Sequence, residues 1–204
     1  DYFKEEIAEP FNLDFHIGLS EDDIHRCADV SYKRLDNLNP QLGFIKFIPN
    51  IFLNKDLSNL KETFISGDFK KAFKSDRLDK DGPNSLDWRT AQIPAANGHG
   101  TAQSLAKLFG ILSTGCQRDN IKILDNDTLT NSTKIHSSGP DTVLFGTILN
   151  FGYCFMLKGN ENNKVSFAPV FKKNAFGHAG IGGSVAFGDS KNKIGYAFVC
   201  NRQQ

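Results

Sequence analysis

The chain has 204 residues, 39% of them hydrophobic, enough to bury one substantial core or two small ones and too many for a disordered polymer. Its 24 basic and 23 acidic side chains nearly cancel, so no net field draws it to nucleic acid or to an anionic membrane. The most apolar stretch, residues 143–157, is broken by Asn150, Gly146 and Gly152; it falls short of the roughly 20 apolar residues of a membrane-spanning helix and reads as strands.

Residues 1–9 have helical character and stop at Pro10, as if the chain opened in the middle of a helix. Ser20 followed by Asp23 resembles a variant capping box, and Ile24, Cys27, Ala28 and Val30 fit a helix continuing to about Leu38. A third helical stretch is expected near residues 55–65. The segment 66–89 follows, where Lys70, Lys71, Lys74, Arg77 and Lys80 interleave with Asp68, Asp76, Asp79, Asp81 and Asp87, the pattern of a solvated loop rather than a binding patch.

The clearest helix covers residues 102–114: Thr101 can cap it, Leu105, Leu108, Phe109 and Leu112 make an apolar stripe, and Gly115 supplies the stop. Residues 124–131 suggest one more short helix. After Pro140 the pattern changes to short aromatic and β-branched runs at 146–157, 180–188 and 194–200, with hairpin-loop composition between the last two. Helices first and antiparallel strands afterwards predict an α+β fold. Residues 1–140 form its mainly helical part and 141–204 the antiparallel strands of the same domain.

Cys27, Cys116, Cys154 and Cys200 are widely spaced and lack the C-x-x-C pairs of a zinc or redox site, so they are expected as free thiols, most of them buried. His16, His25 and His136 show no metal-ligand spacing, so neither metal nor cofactor is expected. The sequons at Asn126 and Asn131 would matter only in a secreted protein. The chain begins at Asp1 rather than Met, so the lack of a signal peptide says little about the compartment; a cytoplasmic or mitochondrial setting is expected over a secreted one.

Residues 176–184 combine one polar side chain, His178, with Gly177, Gly180, Gly182 and Gly183. Such a backbone lets a ligand approach the main chain closely, as an oxyanion or phosphate requires. A phosphate loop would lead into a helix and carry a lysine; here the glycines precede a strand-like run, 184–188. What survives is a Gly-rich strand end beside a ligand.

Two blocks, residues 93–110 around Asn97-Gly98-His99-Gly100-Thr101 and residues 176–184 with Gly188 and Asp189, resemble the carboxyl half of serine β-lactamase-like proteins, in particular the class C-type esterase and LACTB-like branch. The opening, residues 2–14, is similar to the Pro-Leu-Gly-Met region that follows that family's second catalytic motif. The resemblance implies a β-lactamase/transpeptidase-like α+β fold, an antiparallel sheet packed with helices, here incomplete at both ends. It implies ester or amide hydrolysis through an acyl-enzyme on a small-molecule or peptide substrate.

By resemblance the triplet His178-Ala179-Gly180 stands at the family's K-T-G position, departing from it at two of three residues. His178 would line the acyl site from an edge strand, and the backbone N–H of Ile181 would be one oxyanion donor. Ala179, Gly180 and Gly182 would border the substrate, as would Asn97 and His99. From the residues alone, His178 also fits a plain strand-end histidine, and His99 fits an exposed turn as well as a pocket wall. Asp189 is expected to cap a turn.

The family's nucleophile is the serine of S-x-x-K, upstream of the block resembled by residues 2–14. The spacing occurs here as Ser58/Lys61, Ser104/Lys107 and Ser190/Lys193. Ser104 and Lys107 share a helix face, but they fall where the resemblance assigns packing roles. The expectation is therefore a chain without its nucleophile and inactive alone, able to self-associate through exposed sheet. The alternative is a non-catalytic β-lactamase-like binding or self-assembling protein.

Overall fold

The structure, a computed structural model, describes residues 2–32, 47–54, 57–58, 61–62, 82–141, 147–158, 174–180 and 182–203. The amino-terminal helical segment Lys4–Ala8 is widened, with the Glu9 N–H donating to the Lys4 carbonyl at 2.9 Å, and it ends before Pro10 as expected. Its apolar side continues past the proline: Ala8, Phe11 and Leu13 are buried together with Ile111. Strand β1 (Phe15–Ile17) follows, then the short helix Glu21–Ile24.

The helix expected to run to Leu38 stops at Ile24. Ser20 does meet Asp23, Oγ to Oδ2 at 2.7 Å, but the segment after His25 finds its partners elsewhere in the sequence. The Val30 N–H donates to Asn84 Oδ1 at 2.7 Å and the Ser31 N–H to the Asn201 carbonyl at 2.7 Å, so the chain enters strand β2 (Ser31–Tyr32). Long-range hydrogen bonding overrides the local helical pattern. Residues 33–38 lie outside the described residues, as does most of the charged segment 66–89. In the 55–65 stretch, residues 57–58 and 61–62 are helical.

Residues 86–90 form a short helix, Leu86–Thr90, capped by Ser85. It leads to β3 (Gly98–Gly100), which pairs antiparallel with β1, Phe15 opposite Gly100 and His16 opposite His99. The Phe15 ring lies where a Cβ on Gly98 or Gly100 would stand, so this ribbon needs glycine at both places. The long helix Ala102–Ser113 matches expectation, with the Ser104 N–H donating to Thr101 Oγ1 at 3.1 Å and Gly115 at φ +108° ending it.

A hairpin that the sequence reading left unassigned comes next, β4 (Gln117–Arg118) and β5 (Ile121–Lys122). Asp119 and Asn120 between them take φ of 50° and 64°, the left-handed pair of a tight hairpin turn. The helix Asn126–Ser132 then precedes the main sheet.

That sheet contains β6 (Ser137–Pro140), β7 (Ile148–Phe151), β8 (Met156–Leu157), β9 (Ala175–Ala179), β10 (Val185–Asp189) and β11 (Ile194–Phe198). The spatial order is β11-β10-β9-β8-β7-β6, every neighbouring pair antiparallel. Strand β12 (Arg202–Gln203) leaves the sheet and pairs in parallel with β2. The expected strand 146–157 is two strands with a turn between, where the Gly152 N–H donates to the Phe155 carbonyl at 2.9 Å. The expected strand 180–188 begins only at Val185; Gly180 follows the end of β9, and Gly182 and Gly183 lie in a turn.

The long helix packs on β10 and β11 with backbone nearly touching backbone. A methyl group on Gly195 would overlap the Ala106 carbonyl and the Gly110 N–H; one on Gly188 would overlap Ser113 Oγ. Ser113 Oγ lies 2.8 Å from the Phe109 carbonyl and 2.9 Å from that of Ile194, so its one proton serves both helix and strand. Beneath this contact Leu112, Cys116, Leu129 and Phe176 form the second core. All four cysteines are free, but only Cys116 is buried; Cys27 and Cys200 are half-buried and Cys154 is exposed. The expectation of mostly buried thiols fails because Cys154, at φ +65°, sits on the β7–β8 turn and Cys200 beyond the end of β11.

Gly195→Ala should lower the unfolding free energy by on the order of 3 kcal/mol in urea melts, because the helix must lift off the strand. Gly139→Ala on β6, where a Cβ meets nothing within 4 Å, should change it by less than about 0.5 kcal/mol.

Candidate active site

His178 is the exposed fourth residue of β9, after Ala175, Phe176 and Gly177, which are buried. Gly177 gives the strand its close fit, since a side chain there would run into the Ala186 carbonyl and Phe187. The imidazole Nδ1 lies 2.8 Å from the Ala179 carbonyl, and the Phe151 ring is 6.3 Å away between centroids. Strand β9 is not an edge strand, contrary to expectation: β10 pairs along its length and β8 pairs with Phe176 and Gly177. Because β8 is only two residues long, its ladder stops at Gly177, and the β8-facing side of His178 and Ala179 carries no strand pairing among the described residues. The accessible edge is local, created by the shortness of a neighbour.

Past Ala179 the backbone closes on itself. The Gly180 N–H donates to the Ser184 carbonyl at 2.7 Å and the Gly183 N–H to the Gly180 carbonyl at 3.1 Å. Gly183 takes φ +100°, which a side chain would strain. Ala179, Gly180 and Gly182 thus share one corner with His178, while Ile181 lies outside the described residues. Asp189, at the far end of β10, caps the β10–β11 turn: its Oδ1 accepts from the Lys191 and Asn192 N–H groups, each at 3.0 Å. Burial opposes its ionisation, yet these bonds and Asn192 Nδ2 outweigh it and hold the carboxyl below the usual range.

His99 belongs to the β1–β3 ribbon, which shares no strand pairing with the main sheet, and Asn97 stands in the loop just before β3. Asn97 is 2% exposed and its amide is fully engaged. Oδ1 accepts from the Ile93 N–H at 3.0 Å, and Nδ2 donates to the Trp88 carbonyl at 2.8 Å and also to that of Ala91. Its side chain shapes the loop that delivers β3. His99 is partly buried, and its Nδ1 has no hydrogen-bond partner among the described residues. Burial pushes its pKa below the model-compound 6.5, partly offset by the Asn97 backbone and reinforced by Arg89 and His16.

The structure adds a polar cluster that the sequence reading passed over. His16 stands directly across from His99, and its Nε2 is 3.2 Å from Asp14 Oδ1; Asp14 Oδ2 meets Arg26 at 2.6 Å, and Arg26 meets Asp23 at 2.8 Å. Burial works against the Asp14 carboxylate, but His16 and Arg26 overcome it and hold its pKa low. The available signal was the two-residue spacing of Asp14 and His16 at a strand, which puts both on one face.

None of the S-x-x-K pairs has its serine hydrogen-bonded to its lysine among the described residues. Ser104, buried, accepts the Asp14 N–H at 2.8 Å and receives Thr101 Oγ1 at 3.1 Å, while Lys107 Nζ points to the Asn12 carbonyl at 3.4 Å. Lys61 Nζ donates to the Ile48 carbonyl at 2.6 Å and Asn50 Oδ1 at 2.9 Å. Ser190 and Lys193 are exposed in the β10–β11 turn. No group of three or more His, Cys, Asp or Glu able to hold a metal occurs among the described residues, and no helix there is long and apolar enough to cross a membrane.

The six-stranded antiparallel sheet with the long helix packed on it belongs to the β-lactamase/transpeptidase-like fold class. A penicillin-binding protein homolog from Caulobacter crescentus has this fold with TM-score 0.69 and 29% identity, covering 99% of this chain and 46% of that one. A family VIII carboxylesterase matches with TM-score 0.64 and 26% identity over 99% of this chain and 45% of its own. The chain belongs to the Beta-lactamase family, whose match extends over residues 1–204. The esterase/beta-lactamase LipL of Mycobacterium tuberculosis is 30% identical over 204 residues, 98% of this chain and 42% of LipL. The chain thus spans less than half the length of these relatives.

Because its folded pKa is depressed, His99 stabilises the fold least in acid: the contribution is complete above the unfolded value, about 6.5, and is lost as pH falls toward the folded one. NMR titration should place the His99 midpoint below 6.5, and His99→Phe should flatten the stability profile in that window. Ser104→Ala should cost about 1–3 kcal/mol by stranding the Asp14 N–H, a loss visible in thermal melts.

Proposed function

We propose that these residues form one side of the acyl site of a serine hydrolase that cleaves an ester or amide through an acyl-enzyme. The observation that carries this reading is the corner at the end of β9, where His178 is exposed beside a closed Gly-rich turn with one strand edge unpaired. In such a site the serine oxygen adds to the substrate carbonyl carbon as a base takes its proton. The carbonyl oxygen becomes an oxyanion, and the leaving group departs with a proton; water then releases the acyl group by the same steps. His178 would hold the substrate or polarise a neighbouring hydroxyl, and the Ile181 N–H would donate to the oxyanion. Ala179, Gly180 and Gly182 would keep the main chain open to the substrate. Asn97 and His99 would border the substrate from the β3 side, Asn97 through the loop it ties.

The nucleophile in this reading is none of Ser58, Ser104 and Ser190, whose side chains or lysines are engaged elsewhere or stand apart in a turn. The 204 residues by themselves would then be without hydrolase activity. A second reading, a non-catalytic binding or self-assembling protein on the same fold, draws support from Ile194, Tyr196 and Phe198, which β11 leaves exposed on the face away from the long helix.

Intact-mass analysis after a fluorophosphonate probe decides between them, using the protein at its natural length. One adduct is expected there and none on the 204-residue chain. His178→Ala should slow acylation by about 100- to 10,000-fold if the imidazole moves a proton. An unchanged rate removes His178 from the mechanism, and an adduct on Ser104 overturns the assignment of the nucleophile. Absence of any adduct, with concentration-dependent association in sedimentation, favours the second reading.

A further inference from the structure

We propose that Ser184 and Cys200 are positioning residues for the Gly-rich corner beside His178, a role that rests on the hydrolase reading above. Cys200 follows the end of β11, yet it reaches the corner at two points. Its N–H donates to Ser184 Oγ at 3.3 Å, and its thiol donates to the Gly182 carbonyl at 3.4 Å. The two side chains also face each other, Sγ to Oγ at 3.8 Å. Ser184 in turn closes the turn through its own carbonyl, which accepts the Gly180 N–H at 2.7 Å.

Glycine-rich turns have many accessible conformations, and a loop meant to present fixed dipoles needs restraint from outside itself. Here the restraint converges on one residue. The Gly182 carbonyl is held by the thiol, and because the peptide unit is planar this also fixes the plane carrying the Gly183 N–H, which points to the Gly180 carbonyl at 3.1 Å. Gly183 lies against Cys200, where a Cβ would stand at contact distance, 3.7 Å from Sγ, and it is the φ of +100° that requires glycine there.

Cys200 is itself anchored. The carbonyl of the next residue, Asn201, accepts the Ser31 N–H at 2.7 Å, its amide reaches the Asp29 carbonyl at 3.3 Å, and β12 continues the pairing with β2. The segment 29–32 and the Gly-rich corner are therefore held against the same two residues. A thiol suits this position because it is a weak donor that packs like a small apolar group where Cys200 is only half-buried.

The test compares Cys200→Ala, Cys200→Ser and Ser184→Ala. In the 204-residue chain, amide hydrogen exchange at Gly180 and Gly183 should speed up about tenfold or more in the two alanine variants, and Cys200→Ser, which retains a donor for the Gly182 carbonyl, should restore protection. In the protein at its natural length, assayed with a p-nitrophenyl ester, both alanine variants should lower kcat by about 10- to 100-fold with KM within about twofold, again rescued by Cys200→Ser. A purely structural role would lower the melting temperature without that split between kcat and KM. Unchanged exchange at Gly180 and Gly183 in Cys200→Ala overturns the proposal, as does unchanged kcat in a protein that His178→Ala disables. If neither His178→Ala nor Cys200→Ala alters turnover, the hydrolase reading of this corner falls as well.

Discussion

The close approach of the helix Ala102–Ser113 to β10 and β11 is the constraint on which the rest depends. Gly188 and Gly195 remove two side chains from the contact, and Ser113 replaces them with a hydrogen bond to the Ile194 carbonyl. A helix seated this low brings Phe109 and Leu112 down onto Phe176 of β9, whose ring is almost completely buried. That burial fixes β9 in the middle of the sheet, and β9 carries His178. The opposite side of the same helix packs Leu108 and Ile111 against Ala8, Phe11 and Leu13, so one element ties the amino-terminal segment to the sheet.

The polar groups divide into those that hold the fold and those left facing outward. Ser104, Asn97 and Asp189 are buried and hydrogen-bonded to backbone groups, each closing a junction: helix to the residue before β1, loop to β3, β10 to β11. Arg89 is also buried, and its guanidinium reaches Asp29 at 2.6 Å, linking the 86–90 helix to the segment before β2. His178 is different in kind, since its side chain is exposed at a strand end and, among the described residues, its ring nitrogen meets the adjacent backbone carbonyl alone. A group placed without a structural task beside a restrained Gly-rich turn is what a substrate-facing role requires.

Several features were legible before any coordinates. Thr101, the apolar stripe and Gly115 define the long helix, because a cap, a 3.6-residue period and a left-handed stop are all local. The two motif blocks identified the fold class, and the composition of residues 188–193 identified the β10–β11 turn. The failures have a common cause. The segment after Ile24 has a helical pattern, but the Val30 and Ser31 N–H groups donate to Asn84 and Asn201, more than fifty residues away in the chain. The β4–β5 hairpin rests on Asp119 and Asn120 at positive φ, a conformation that these residue types permit without announcing.

The candidate site shows the same division. The sequence by itself determined that His178 would sit among glycines at a strand end, since residue type and spacing are properties of the chain. Only the tertiary structure decided that β9 is interior, that its pairing with β8 stops at Gly177, before His178, and that the Cys200 thiol meets the turn from across the β10–β11 hairpin. It also gave backbone partners to Asn97, expected beside the substrate, and to Ser104, expected to pack. A buried hydrogen bond forms with whichever group the fold brings within about 3 Å, and that choice is made by packing between elements rather than by the order of residues along the chain.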